Sequence, residues 1–191
     1  MKIGLYAGSF YPIHNAHLEI AKKIVKEKIV DKVIFVPAGD GYEKSGLVNG
    51  YKRYEMIELV IRNIKEFSVS DIEIINSKLY SYLTLDYFKK EYENDEIFFI
   101  MGSDNLSEFH LWKKYKYILN FYGIVVFLRN GQKRENFKAY EKYENIKYVD
   151  FDFCLSSTEI RNNIGKKEYD KVNNKIDERV LDYIREYKLY E

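Results

Sequence analysis

Two of the chain's three histidines, His14 and His17, lie three residues apart where a short apolar run gives way to a helical period. A helix start offers backbone N–H groups that have no partner within the helix, and its dipole favours negative charge. Two imidazoles at that turn add donors, so the pattern reads as an oxyanion site, phosphate being the natural ligand. The i, i+3 spacing would also suit zinc, yet the stretch supplies no third ligand and the single Cys154 is remote in sequence. Ordinary helix-start residues with satisfied hydrogen bonds are the third reading. A second such stretch is Ser156-Ser157-Thr158-Glu159-Ile160-Arg161. Ser156 with Glu159 three residues on is a capping box, which simply starts a helix. The same geometry can present N–H and hydroxyl donors to a polyphosphate, with Arg161 in the first turn to grip terminal oxygens. A third is Met101-Gly102-Ser103-Asp104. Gly102 allows close backbone approach, and the Asp104 carboxylate stands where it could accept both hydroxyls of a ribose or merely cap a helix.

The elements that must hold these residues follow from periodicity. Ile3 to Tyr6 reads as a buried strand ending at Gly8, and from Ala16 a helical face of Leu18, Ala21 and Val25 begins, with Ile20 and Ile24 beside it. Lys32 to Val36 predicts a second strand, Tyr51 to Lys65 a helix, Phe67 to Ile75 a strand and Leu83 to Tyr92 a helix. Glu96 to Met101 is the most apolar strand. A short helix near Asn105, another over Trp112 to Leu119 and a strand over Gly123 to Leu128 come next. Residues 130–145 are polar, an excursion or a loose helix, before a strand at Ile146 to Val149. Helices at Ser157 to Ile164 and Glu178 to Tyr187 close the chain, the last with Asp177 as its cap. Strands alternating with helices imply an α/β fold with a doubly wound parallel sheet, helices on both faces, and ligands at the carboxyl ends of the strands.

At 191 residues, one domain over 1–191 is the expectation. Lys and Arg number 31 against 30 Asp and Glu, whereas nucleic-acid binders carry a clear basic excess, so no nucleic-acid partner is expected. Interleaved Lys and Tyr between Lys138 and Tyr148 would be the only basis for an RNA-binding module, and a solvated face explains them better. One cysteine excludes an internal disulfide and suits a reducing cytoplasm. No signal peptide is read at the start, and the longest apolar stretch falls far below the ~20 residues of a membrane helix, so no membrane partner is expected.

Gly8-Ser9-Phe10-Tyr11-Pro12-Ile13-His14-Asn15-Ala16-His17 resembles the GxFxPxHxGH signature of the nucleotidyltransferase superfamily, specifically its nicotinate-nucleotide adenylyltransferase branch. Tyr11 and Ala16 depart from it, standing where that branch has Asp or Asn and Gly. Leu155-Ser156-Ser157-Thr158-Glu159-Ile160-Arg161 resembles the [IL]SSTxIR motif at all its fixed positions. The resemblance spans essentially the whole chain and implies a Rossmann-like fold that transfers AMP from ATP to nicotinate mononucleotide. It implies an ATP site of Gly8, Ser9, Phe10, His14, His17, Gly102, Asp104, Ser156, Ser157, Thr158 and Arg161, with His14, His17 and Arg161 catalytic. It also implies that Trp112 stacks on the pyridine ring, that backbone amides around Tyr82, Leu83 and Thr84 read the carboxylate, and that Lys44 lines the mononucleotide phosphate, with Arg53 matching a basic residue of the following helix. Mg²⁺ would be carried mainly by the ATP phosphates. The alternatives are a related transferase using nicotinamide mononucleotide or another phosphorylated acceptor, and a nucleotide-binding regulator without turnover. Whether the chain forms a homo-oligomer is left open.

Overall fold

The computed structural model describes residues 1–41, 46–129, 131–151 and 155–191. Six strands are seen: β1 (Lys2–Gly8), β2 (Lys32–Pro37), β3 (Phe67–Val69), β4 (Glu96–Gly102), β5 (Gly123–Leu128) and β6 (Ile146–Asp150). They form a six-stranded parallel sheet in the order β3-β2-β1-β4-β5-β6. Sequence order reverses between β1 and β4, the switch point at which doubly wound sheets take ligands beyond their carboxyl ends. The chain leaving β1 carries His14 and His17, and the chain leaving β4 carries Asp104. β4 is buried at every residue after Glu96, and β5 at every residue after Gly123, as strands covered on both faces must be.

The helices are α1 (Asn15–Lys26), α2 (Gly50–Ile61), α3 (Ile72–Ile75), α4 (Ser81–Glu91), α5 (Ser103–Glu108), α6 (Tyr115–Phe121), α7 (Ser157–Gly165) and α8 (Glu178–Glu186). Two expectations are corrected. The strand expected over Phe67 to Ile75 stops at Val69, because Ser70-Asp71 turns the chain and the Asp71 carbonyl accepts from the N–H groups of Ile74 and Ile75 to start α3. The helix expected from Trp112 starts at Tyr115, since Lys114 adopts a left-handed conformation with φ 56°. The expected cap of α8 is present, the Asp177 carboxylate accepting from the Arg179 N–H at 3.0 Å. Residues 134–140 form a 3₁₀ turn within the polar stretch.

The chain resolves into two compact units, each assembled from three stretches. The first comprises Met1–Ala7, Ile20–Ile34 and Leu79–Cys154, with Leu5, Ile100, Leu106, Ile124 and Val126 at its core. The second comprises Gly8–Glu19, Phe35–Lys78 and Leu155–Glu191, with Met56, Ile57, Ile160, Ile164 and Val180 at its core. Within the second, α2 packs on α8, the Lys52 ammonium lying 3.4 Å from the Tyr187 ring centroid and the Tyr183 hydroxyl donating to Glu55. Among the described residues no helix is long and apolar enough to cross a membrane.

Candidate active site

The second unit contains both of the motifs that the sequence singles out. Beyond β1 the chain turns through Ser9 to Ile13, burying Phe10, Tyr11 and Ile13, and enters α1 at Asn15. Burial of these three apolar side chains fixes the turn, which in turn fixes the histidines. The rings of His14 and His17 stack, with centroids 3.8 Å apart and planes 23° from parallel. The His14 N–H donates to His17 Nδ1 at 3.2 Å, so the neutral His17 ring carries its proton on Nε2 and donates from there. Phe10 meets the His17 ring edge-on at 5.1 Å. His14 is buried and His17 half-buried, which makes His17 the more open of the two. Among the described residues no group of three or more His, Cys, Asp or Glu is placed to hold a metal, and Cys154 lies outside them.

α7 meets this turn from the other end of the chain. Arg161 Nη1 donates to the Tyr11 carbonyl at 2.7 Å, and its guanidinium carbon lies 4.1 Å from the Tyr11 ring centroid. Nη2 donates to Thr158 Oγ1 at 3.2 Å, and Ser157 Oγ donates to the Pro12 carbonyl at 3.4 Å. These bonds leave further Arg161 N–H groups for an anion. The capping box expected of Ser156 and Glu159 does not form. Ser156 is the N-cap residue, but its side chain makes no cap hydrogen bond among the described residues, and the Glu159 carboxylate pairs with Lys175 instead. The first turn of α7 therefore keeps its donors, beside the exposed side chains of Ser156 and Thr158.

A buried arginine holds the floor of this arrangement. Arg53 is 0% exposed and donates from Nε to the Val48 carbonyl, from Nη1 to Ser9, and from Nη2 to the Ala38 carbonyl and to Asp40 Oδ1. Burial lowers its pKa, and Asp40 opposes the shift. The sequence offers Arg53 as a partner for the mononucleotide phosphate; in the fold its donors are taken by protein oxygens. Lys44, the other residue expected there, lies outside the described residues.

The remaining expected positions fall in the first unit. Gly102 ends β4, and a Cβ there would sit 2.3 Å from Asp104 Oδ1, so a larger residue would displace the Asp104 carboxylate. Gly102 itself is the N-cap of α5; Asp104 lies one residue inside the helix and is not its cap. Its carboxylate pairs with Arg129 Nη2 at 2.5 Å. The Arg129 N–H in turn donates to the buried Ser103 Oγ at 3.3 Å. Trp112 is half-buried, with Phe99 and Phe109 against it edge-on at 5.9 and 5.2 Å. Tyr82 and Thr84 are buried in the first turn of α4 while Leu83 is 38% exposed. The Leu83 and Thr84 N–H groups, expected to read a carboxylate, already donate to the Tyr80 carbonyl at 2.8 and 3.2 Å. The Lys114 ammonium lies 4.4 Å from the Tyr82 ring centroid. Asp86 holds α4 to α6, accepting from the hydroxyls of Tyr117 and Tyr122. His110 is exposed and stands apart from these groups.

The family model described as Cytidylyltransferase-like matches residues 5–163. Over 199 residues the chain is 34% identical to a probable nicotinate-nucleotide adenylyltransferase of Clostridium acetobutylicum, covering 99% of this chain and 98% of that one. The chain belongs to the nicotinate-nucleotide adenylyltransferase family. Another protein of that description, from Clostridium novyi, is 37% identical over 177 residues, 87% of this chain and 88% of that one. Among solved structures, the nicotinic acid mononucleotide adenylyltransferase of Plasmodium falciparum complexed with NaAD has a similar fold, with a TM-score of 0.84 at 23% identity over 99% of this chain and 97% of that one.

In this nicotinate-nucleotide adenylyltransferase family member, sequence reasoning missed Arg129, the partner of Asp104, which could have been suspected as the charge directly after an apolar strand. It named Arg53, but the interior role of that side chain had no local signal.

Proposed function

We infer that the protein transfers the AMP part of ATP to nicotinate mononucleotide, giving nicotinate adenine dinucleotide and pyrophosphate, a step of NAD biosynthesis. The description of the full-length relatives supports this reading. The observation that carries it is the pair of bonds from Arg161 and Ser157 to the carbonyls of Tyr11 and Pro12, which join the α7 N-terminus to the His14–His17 turn across 150 and 145 residues.

In this reaction a phosphate oxygen of the mononucleotide bonds to the α-phosphorus of ATP as the bond from that phosphorus to the bridging oxygen breaks. The bonding electrons leave with the pyrophosphate. The attacking oxygen is already anionic, so the site needs neither a protein nucleophile nor a general base. What it must supply is alignment and stabilisation of displaced charge. His17, donating from Nε2, and His14 beside it serve the α- and β-phosphate oxygens. Ser156, Ser157, Thr158, Arg161 and the α7 N–H groups receive the departing pyrophosphate. Gly8, Ser9 and Phe10 shape the turn beneath the triphosphate, and Gly102 and Asp104 take the ribose. Trp112 takes the pyridine ring, the Tyr82 N–H serves its carboxylate with Leu83 and Thr84 lining the same turn, and Lys44 belongs to the same acceptor group.

The triphosphate cradle consists of imidazoles, hydroxyls and a guanidinium, and among the described residues it offers no group of carboxylates of the kind that holds Mg²⁺. It does not fit a protein-held Mg²⁺; the ion enters with the ATP phosphates as part of the substrate. A single cysteine supports a cytoplasmic setting for the reaction.

A pyrophosphate-release assay tests the reading, with ATP or CTP against nicotinate mononucleotide, nicotinamide mononucleotide and other phosphorylated acceptors. ATP with the acid mononucleotide should give the highest kcat/KM. Preference for another pair would point to a sister transferase. ATP binding without pyrophosphate release on any acceptor would mean a regulator.

A further inference from the structure

Arg161 owes its aim to a residue that neither motif contains. Tyr11, where the resembling signature carries Asp or Asn, is only 6% exposed, and its ring has two close neighbours. One is the Arg161 guanidinium, 4.1 Å from the centroid. The other is Tyr190, edge-on at 5.1 Å with planes 68° apart. The Tyr11 hydroxyl donates to the Gly46 carbonyl, so the ring is also held along its length.

Tyr190 reaches this place by a sharp reversal after α8. Lys188 and Tyr190 both take left-handed conformations, φ 50° and 72°, and the Leu189 N–H donates back to the Ile184 carbonyl at 3.0 Å. Such angles are costly for residues with a side chain, and persist where surrounding contacts impose them. The Tyr190 carbonyl lies against Gly165, where a Cβ would stand 3.2 Å from it. Gly165 is the last residue of α7, the helix that carries Arg161. Tyr190 thus touches the far end of α7 with its backbone and the partner of Arg161 with its ring.

We propose that Tyr190 is a positioning residue for the pyrophosphate end of the cradle: its ring braces Tyr11, and Tyr11 holds the Arg161 guanidinium on the line of the leaving group. The inference rests on the adenylyl-transfer reading above. The ring is the working part. The Tyr190 hydroxyl is buried and has no hydrogen-bond partner among the described residues, and burial raises its pKa well above the ordinary tyrosine value. Removing a buried hydroxyl that lacks a partner is neutral or stabilising, whereas removing the ring frees Tyr11 and hence Arg161.

The test compares Tyr190→Phe, Tyr190→Leu and Tyr190→Met in full-length protein, reading forward kcat, KM for the mononucleotide, KM for pyrophosphate in the reverse direction, and Tm. Small displacements of an aligned group cost up to about 10²-fold in rate. Tyr190→Leu should lower forward kcat by about 10- to 100-fold and raise the pyrophosphate KM by a similar factor, leaving the mononucleotide KM unchanged. Tyr190→Phe should match wild type with an equal or higher Tm. Tyr190→Met, which refills the space with a flexible chain, should show the pyrophosphate signature even if the leucine variant does not fold. Combined with Arg161→Lys, Tyr190→Met should be strongly non-additive, because both changes act on one guanidinium. A Tyr190→Met enzyme with wild-type kcat and pyrophosphate KM, or additive losses in the double variant, overturns the inference while the reaction stands. A wild-type enzyme that releases no pyrophosphate with any acceptor overturns the reaction and the inference together.

Discussion

His17 is set by the Phe10 ring on one side and the His14 N–H at Nδ1 on the other, so its substitution tests a donor rather than a fold. His17→Ala should lower kcat by roughly 10²–10³ with little change in Tm, the usual loss for one aimed donor in such a site; steady-state pyrophosphate release and a thermal melt together check this. Arg53 is the opposite case. With no exposure and four bonds to protein oxygens, it should matter to stability before it matters to catalysis. Arg53→Met strands the carbonyls of Ser9, Ala38 and Val48 and should cost about 3 kcal/mol in urea unfolding. An unchanged midpoint would show that the bonds are replaceable by solvent. Both histidines could be read from the sequence because their spacing is local. The role of Arg53 could not, because the carbonyls it binds come from two separate loops, after β1 and after β2, and a carbonyl has no residue type.

Helix ends separate structure from function at the next scale. α8 has a working cap: the Asp177 carboxylate accepts from the Arg179 N–H and also pairs with its guanidinium. Asp177→Ala should therefore cost about 1 kcal/mol, the typical loss for such a cap. At α7, Ser156 occupies the cap position without capping. Ser156→Ala should leave the unfolding midpoint almost unmoved and raise KM for ATP instead; a loss of stability with unchanged kinetics would restore the capping-box reading. The sequence suggested a cap because serine and glutamate three residues apart usually bond each other's backbone. Here Lys175, sixteen residues on, takes the glutamate. The strand expected over Phe67 to Ile75 failed for a similar reason: apolar content survives a turn, and only the short Ser70-Asp71 pair marked it. By contrast β4 and β5 were legible throughout, since a strand buried on both faces leaves an unbroken apolar run.

For the molecule as a whole, nineteen tyrosines make alkaline pH the revealing perturbation. Burial raises the pKa of Tyr6, Tyr122 and Tyr190, and Asp86 raises that of Tyr122 further. Each keeps its proton in the folded state at pH values where the unfolded chain, near 10, has begun to lose it. The folded state then binds more protons, so stability is full below about pH 10 and falls as pH climbs beyond it. Unfolding midpoints between pH 7 and 11 should show a plateau followed by a steep decline, and Tyr122→Phe should soften the decline. A midpoint independent of pH up to 11 would contradict the assigned burial. The alternation of strands and helices followed from hydrophobic periodicity, because most of the elements announce themselves within ten residues, whereas the strand order came only with the structure. Contacts that finish the sites, such as Tyr11 with Tyr190 and Asp104 with Arg129, join residues far apart in sequence, and no local pattern encodes them.

Before any nucleotide arrives, the Asp104 carboxylate already has company in Arg129. On the adenylyl-transfer reading, a ribose with two hydroxyls compensates that paired carboxylate better than a sugar with one, so the ion pair would sort sugars by their hydroxyls. Deoxyadenosine triphosphate should be excluded by more than the worth of one hydrogen bond, and Arg129→Leu should narrow the gap between the two triphosphates.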